Sequence, residues 1–249
     1  MKKKIKQKKN LGKRFLAGAL AFTCLVQPVD FASAKTYYFT KFGSVGKHAP
    51  YKSDSIDNEV YKRALYYAPF DKATQSKTYD FDQDGTKEKV TFSGKIANSG
   101  VKSVTISING NAVDYDFGER CNTDAMMFFV EEVDGEKIGI IHLGYCGEES
   151  VILFHWTDED DLELLKELDG KSHINAYAAT DKADNTEYLY VEDSIQLCSP
   201  KQWPAQFKKY KKKKNVSVTK RIFRKYSYGV SGLTLEGKDI YYEVGRAYE

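Results

Sequence analysis

Asp80, Asp82, Asp84 and Glu88 fall at positions 1, 3, 5 and 9 of the run DFDQDGTKE, with Gly85 at position 6. Alternate residues of a tight loop can all turn their oxygens inward, and the glycine permits the sharp reversal that lets them converge. Thr86, at position 7, offers its main-chain carbonyl. Hard divalent cations take such oxygens, and calcium takes six to eight of them in loose geometry. The expected ligand set is therefore Asp80, Asp82, Asp84, Thr86 and Glu88, around calcium. The competing reading is a solvated acidic turn, since Asp and Gly are ordinary turn residues. Against it, four carboxylates brought together without a cation would repel.

An EF-hand would need flanking helices and a Glu at position 12, where Thr91 stands; Lys89-Val90-Thr91-Phe92 alternates as a strand does. The run instead resembles the D-x-D-x-D-G-x-x-[DE] loops of FG-GAP and VCBS-type repeats, found between strands in integrin-like β-propeller blades. With Phe128-Phe129-Val130, Asp134-Gly135-Glu136 and the strands to Trp156, residues 79–170 look like uncharacterised secreted Gram-positive proteins that carry one such loop. The resemblance implies a calcium-binding, extracellular β protein. The chain is too short for a complete propeller with blades of about 40–45 residues.

Other chemistry is weaker. A zinc site can be drawn from His142, Cys146, Cys121 and His155, but no CxxC exists and a structural role for these residues is the simpler reading. Gly229-Val230-Ser231-Gly232 lacks the spacing of a nucleophile elbow. A glycine-rich phosphate loop is absent. Lys208 to Lys214 is a basic cluster interleaved with Trp203, Phe207 and Tyr210. It suits an anionic cell-wall or extracellular polymer, or else is a lysine-rich turn that keeps an edge soluble.

These residues need elements to hold them, and the first 34 are not among those elements. Eight basic residues precede an apolar run, Phe15 to Val26, and Ala32-Ser33-Ala34 supplies small residues where a signal peptidase reads. Residues 1–34 read as a signal peptide, with the mature chain starting at Lys35 and secreted. A lipoprotein reading on Cys24 is opposed by the bulky Phe22. Removing the leader from 249 residues leaves 215 and turns a net charge of +3 into −4, so global charge gives no argument for nucleic acid. No second apolar span follows, so no membrane span is expected. Cys121, Cys146 and Cys198 remain. One Cys121–Cys146 bridge with Cys198 free, or three thiols, are both open.

Aromatic and β-branched residues dominate, as in strands. Val104, Ile106 and Ile108 alternate, Asn109-Gly110 turns, and Ala112 to Phe117 returns: a hairpin. Asp134-Gly135 joins a second pair, and Val151 to Trp156 is a continuous apolar strand. Residues 158–168 are open between a capped helix and a turn followed by a strand. Residues 35–78 read as an irregular amino-terminal extension, with a short helix at 56–67, and residues 79–249 as the β-rich domain. The expected fold is mainly β: antiparallel meanders of short strands in a partial or degenerate propeller-like or sandwich assembly. The expected function is a secreted, non-catalytic calcium-binding protein that contacts cell-surface or extracellular polymers or proteins. The alternative is an extracellular hydrolase whose active site the sequence does not cluster.

Overall fold

Three runs in the middle of the chain, Met126–Val130, Ile138–Ile141 and Val151–Phe154, are apolar on both parities. A strand made of such a run must be covered on both faces. The computed structural model, which describes residues 35–39, 49–52, 62–67, 74–97, 100–116, 125–145, 148–157, 160–170 and 173–246, meets that demand with three sheets. In chain order the strands are β1 (Lys35–Phe39), β2 (Tyr51–Lys52), β3 (Leu65–Tyr67), β4 (Thr74–Tyr79) and β5 (Glu88–Ala97). There follow β6 (Gly100–Ile108), β7 (Asn111–Asp116), β8 (Ala125–Val133), β9 (Glu136–Tyr145) and β10 (Glu148–Trp156). The last five are β11 (Leu162–Asp169), β12 (His173–Asp181), β13 (Glu187–Leu197), β14 (Val216–Gly229) and β15 (Gly232–Arg246).

The central sheet runs β11-β10-β9-β8-β3. One face packs Met126, Phe128, Ile141, Ile152 and Phe154 against Val90, Phe92, Val104, Ile106 and Ile108 of the four-stranded sheet β4-β5-β6-β7. The other packs Phe129, Ile140, Val151 and Leu153 against Ile174, Ala176, Leu189 and Val191 of the six-stranded sheet β1-β15-β14-β13-β12-β2. The assembly is thus mainly β and sandwich-like, with three sheets and two cores. The ladders are antiparallel apart from β1 on β15, the one parallel pairing among the described strands.

Phe128 is the hub of the first core. Its ring centroid lies 6.1 Å from Phe81, 5.8 Å from Phe92 and 6.4 Å from Trp156. Gly139 makes room for it: a Cβ there would come within 3.2 Å of the Phe128 ring.

Both expected hairpin turns are present. Asn109 and Gly110 have φ of 48° and 104°, and Asp134 and Gly135 have 53° and 78°, the positive pair that a two-residue hairpin turn demands. Gly229-Val230-Ser231-Gly232 is the turn between β14 and β15. Residues 162–169 are strand, not helix. Asp160 takes a positive φ of 59°, its carboxylate accepts from Trp156 Nε1, and Leu162, Leu165 and Leu168 are laid against the cores.

Within 35–78, the stretch expected to be an irregular extension, only part of the chain is described. Its described segments form β1 to β4, an edge strand of each sheet. These strands span two to six residues, too short for periodicity to reveal, and longer neighbours hold them. Residues 56–61 of the expected helix at 56–67 lie outside the described residues; Lys62 and Arg63 are helical, and Leu65–Tyr67 is strand. The signal peptide and both Cys121 and Cys146 also lie outside them; Cys198 is a free, exposed thiol. The carboxy-terminal hairpin is not short, with strands of 14 and 15 residues.

Phe128→Ala is expected to lower the unfolding free energy by about 3–5 kcal/mol, the range for a large buried aromatic. Phe128→Leu should lose distinctly less, and urea denaturation of the two variants checks this.

Candidate functional site

The ladder of β4 and β5 ends at Tyr79 opposite Glu88, so the eight residues between must close as a loop over that pair. Two features force the closure. Phe81 is fully buried and anchors the loop in the first core. Gln83 and Gly85 take positive φ, 63° and 92°, which turns the chain back on itself.

The carboxylates then tie the loop to its own amides. Phe81 N donates to Glu88 Oε2 at 2.9 Å, Asp84 N to Asp82 Oδ1 at 3.3 Å, Gly85 N to Asp80 Oδ2 at 3.2 Å and Thr86 N to Asp84 Oδ1 at 2.7 Å. The outcome is a triad: one carboxylate oxygen each from Asp80, Asp82 and Glu88 lies within 4.8 Å of the other two. Asp82 and Glu88 are buried, and Asp80 Oδ1 is buried with no hydrogen-bond partner among the described residues. Three oxygens so placed could hold a metal ion.

Of the five expected ligands, the structure brings these three together. Asp84 and Thr86 stay exposed. The amide of Thr86 holds the Asp84 carboxyl below the usual carboxylate range. Glu88 moves the other way: burial pushes it up against the Phe81 amide, and the charges of Asp82 and Asp84 add to the rise.

A cation from elsewhere was not foreseen. Lys137, on the same parity as Gly139 and Ile141, reaches under the loop. Its Nζ lies 2.5 Å from Asp82 Oδ2 and 4.0 Å from Asp84 Oδ2. Arg63 braces the other side, donating from Nη1 to Val130 O at 2.6 Å and to Phe81 O at 3.4 Å, with Nη2 3.5 Å from Glu131 Oε1. Glu131 sits where β8 meets the six-stranded sheet. Burial pushes its carboxyl up to about 7, against the pull of Arg63 and with the help of Glu187.

A second constellation also escaped the sequence. On the outer face of the six-stranded sheet, Tyr51 and Tyr177 share a hydroxyl–hydroxyl bond of 2.6 Å, and Tyr177 donates to Glu192 Oε2 at 3.1 Å. Arg221 donates to Glu192 Oε1 at 2.5 Å. Beside this network lies a cleft of about 220 Å³, walled by Tyr37, Tyr190 and Phe223 and holding Asp181, Lys225 and Asp239. Asp181 Oδ2 accepts from Lys225 Nζ at 2.8 Å and from Tyr190 at 3.2 Å, and Oδ1 from Ala183 N. Burial alone would raise Asp181, but Lys225 and the Ala183 amide hold it low. Burial raises Asp239, against the Lys35 charge. The available signal was charge in mid-strand, at Glu192, Arg221 and Asp239, where a neighbouring residue on the same face is aromatic.

Of the four residues from which a zinc site could be drawn, only His142 and His155 lie among the described ones. His142 Nε2 bonds Glu149 at 3.0 Å, while His155 Nε2 bonds Glu136 at 2.8 Å towards the other end of the β9–β10 ladder. Trp203 and Phe207 are buried against Val218 and Val244, so they are not a stacking platform, whereas Lys211 to Lys214 are exposed. No protein-family model, curated protein or solved structure matches the chain. No helix among the described residues is long and apolar enough to cross a membrane.

Glu131 sets an expected pH dependence. Its folded value lies above the ordinary 4.5, so its contribution to stability is full below about 4.5 and is lost as pH rises through about 7. The loss amounts to up to about 3 kcal/mol. Glu131→Gln should flatten the stability profile between pH 4.5 and 7.5 in urea titrations.

Proposed function

We propose that this is a secreted, non-catalytic binding protein whose acidic loop takes calcium. The observation that carries the reading is Asp80 Oδ1, buried beside the carboxylates of Asp82 and Glu88 and without a hydrogen-bond partner among the described residues. Burying an acceptor unsatisfied costs about 1–3 kcal/mol, more when it is charged. A divalent cation at the triad would satisfy that oxygen and relieve the repulsion by Asp82 and Asp84 that adds to the burial-driven rise of Glu88. The carboxylate-only donor set suits a hard ion, and a loop that can still swing Asp84 and the Thr86 carbonyl inward suits the loose, many-oxygen shell of calcium better than the tight octahedron of magnesium. Lys137 supplies one positive charge against this cluster and leaves it net negative.

Bound calcium would fix Phe81 and the base of the four-stranded sheet, which makes it a stabiliser of the fold and not a reaction centre. The exposed lysines of 211–214 would then meet an anionic extracellular polymer. The hydrolase reading would use the outer cleft, where Asp181 and Asp239 are shifted in opposite directions. Asp181, however, is already engaged by Lys225, Tyr190 and Ala183. That favours structure over proton transfer.

Millimolar calcium is expected to raise Tm relative to chelator, since a ligand of the folded state adds about 2.7 kcal/mol at a hundredfold excess over Kd. Asp82→Ala should lose most of that rise. Lys137→Met should enlarge it, because the loop then depends on the added ion alone. Equal Tm in chelator and in calcium for the wild-type chain would leave the loop a bare turn. Scanning calorimetry of the three proteins decides it.

A further inference from the structure

We propose that the outer cleft is the seat of the protein's own processed amino terminus: cleavage after Ala34 sets the α-ammonium of Lys35 against the carboxylate of Asp239, and this ion pair clamps β1 to the carboxy-terminal strand. The inference rests on the reading of residues 1–34 as a removed leader.

Four observations converge on it. The residue that follows the Ala32-Ser33-Ala34 site lies in β1. Lys35 and Asp239 are register partners in the parallel pairing of β1 with β15. Both line the cleft. The Lys35 amide helps to hold the Asp239 carboxyl down against the rise that burial causes. The nitrogen that processing would free therefore already lies beside a carboxylate.

The chemistry of cleavage improves this contact. Hydrolysis of the Ala34–Lys35 peptide adds the hydroxyl of water to the Ala34 carbonyl and its proton to the Lys35 nitrogen, which takes a second proton from solvent at neutral pH. One neutral N–H becomes three donors carrying a full charge, and a charge-assisted bond is about twice as strong as a neutral one. Asp239 needs such a partner, because burial disfavours its ionised form. The other charged groups around it oppose one another: Asp181 on β12 and Glu236 on β15 repel it, while Lys225 on β14, Lys238 on β15 and the Lys35 side chain attract it. Tyr37 on β1 and Tyr190 on β13 wall the site. Among the described strands only β15 pairs with β1, so the clamp adds to that ladder and to the ring contacts of Tyr37, Tyr38 and Phe39 with Phe207, Tyr241 and Tyr242.

An α-amine titrates near 8 when free, and pairing with a carboxylate raises that value. Its contribution is full below about pH 8 and is lost as pH rises through the raised value. The full chain is secreted from a bacterial host in four forms: wild type, Asp239→Asn, a Gly-Ser insertion between Ala34 and Lys35, and both together. Intact mass reports each amino terminus. The expected results are a wild-type chain starting at Lys35 and a Tm loss of about 3 °C or more for Asp239→Asn at pH 7. That loss should be much smaller behind the insertion, and the difference between the two backgrounds should vanish by pH 10. Equal losses in both backgrounds, or a difference that persists at pH 10, overturn the clamp while leaving the leader standing. A chain that starts elsewhere overturns both. The calcium-dependent Tm rise, measured on the same proteins, reports separately on the acidic loop.

Discussion

A sheet whose inner strands are apolar on both parities has no face to give to water. β8, β9 and β10 are such strands, and the rest of the molecule follows from covering them twice. The chain does so by laying a four-stranded meander on one face and the long carboxy-terminal strands on the other. Each covering sheet is buried on its inner face, and the six-stranded sheet also buries Tyr177, Tyr190, Phe223 and Tyr241 on its outer face. The double cover explains why Phe129, Ile140 and Leu153 can be as fully buried as Phe128, Ile141 and Phe154 although they point the opposite way.

The same constraint decides where charge can be tolerated. Burial penalises ions, so these partly buried charged groups are tied to specific partners. Arg63 answers Glu131, Lys137 answers Asp82, Arg221 answers Glu192, and Lys225 answers Asp181. A partnered ion in such a place contributes little net stability, but removing one member strands the other. The acidic loop stands out against this pattern, because three carboxylates share a small volume and one of their oxygens has no donor among the described residues.

Much of the architecture was legible because local signals agreed. The alternation of Val104, Ile106 and Ile108, the Asn109-Gly110 and Asp134-Gly135 turns and the unbroken apolar run to Trp156 each admit one local solution. The converging carboxylates of the loop were legible for the same reason: Asp80, Asp82 and Glu88 are placed by spacing and by one ladder. What escaped was non-local. β1, β2 and β3 are too short to carry a period, and they exist only because longer strands accept them. Lys137 meets Asp82 only through the β8–β9 hairpin. Asp181, Lys225 and Asp239 lie on three different strands, and nothing in their spacing foretells a common cleft. Residues 162–169 hold an acidic, leucine-rich pattern that suits a helix by propensity. Pairing with β10 overrode it.

The parallel ladder of β1 and β15 has a consequence in time. A ribosome makes the strand at Lys35 first, and its partner at Asp239 about 200 residues later. Closing so long a loop is entropically costly, and contacts between distant residues slow folding. The hairpins at Asn109 and Asp134 can form while the chain is still growing, but the six-stranded sheet cannot gain its β1 edge until β15 has been made. Until then the polypeptide lacks the contact that holds β1. A chain in that condition can still be threaded through a narrow passage, which suits the secretion proposed above.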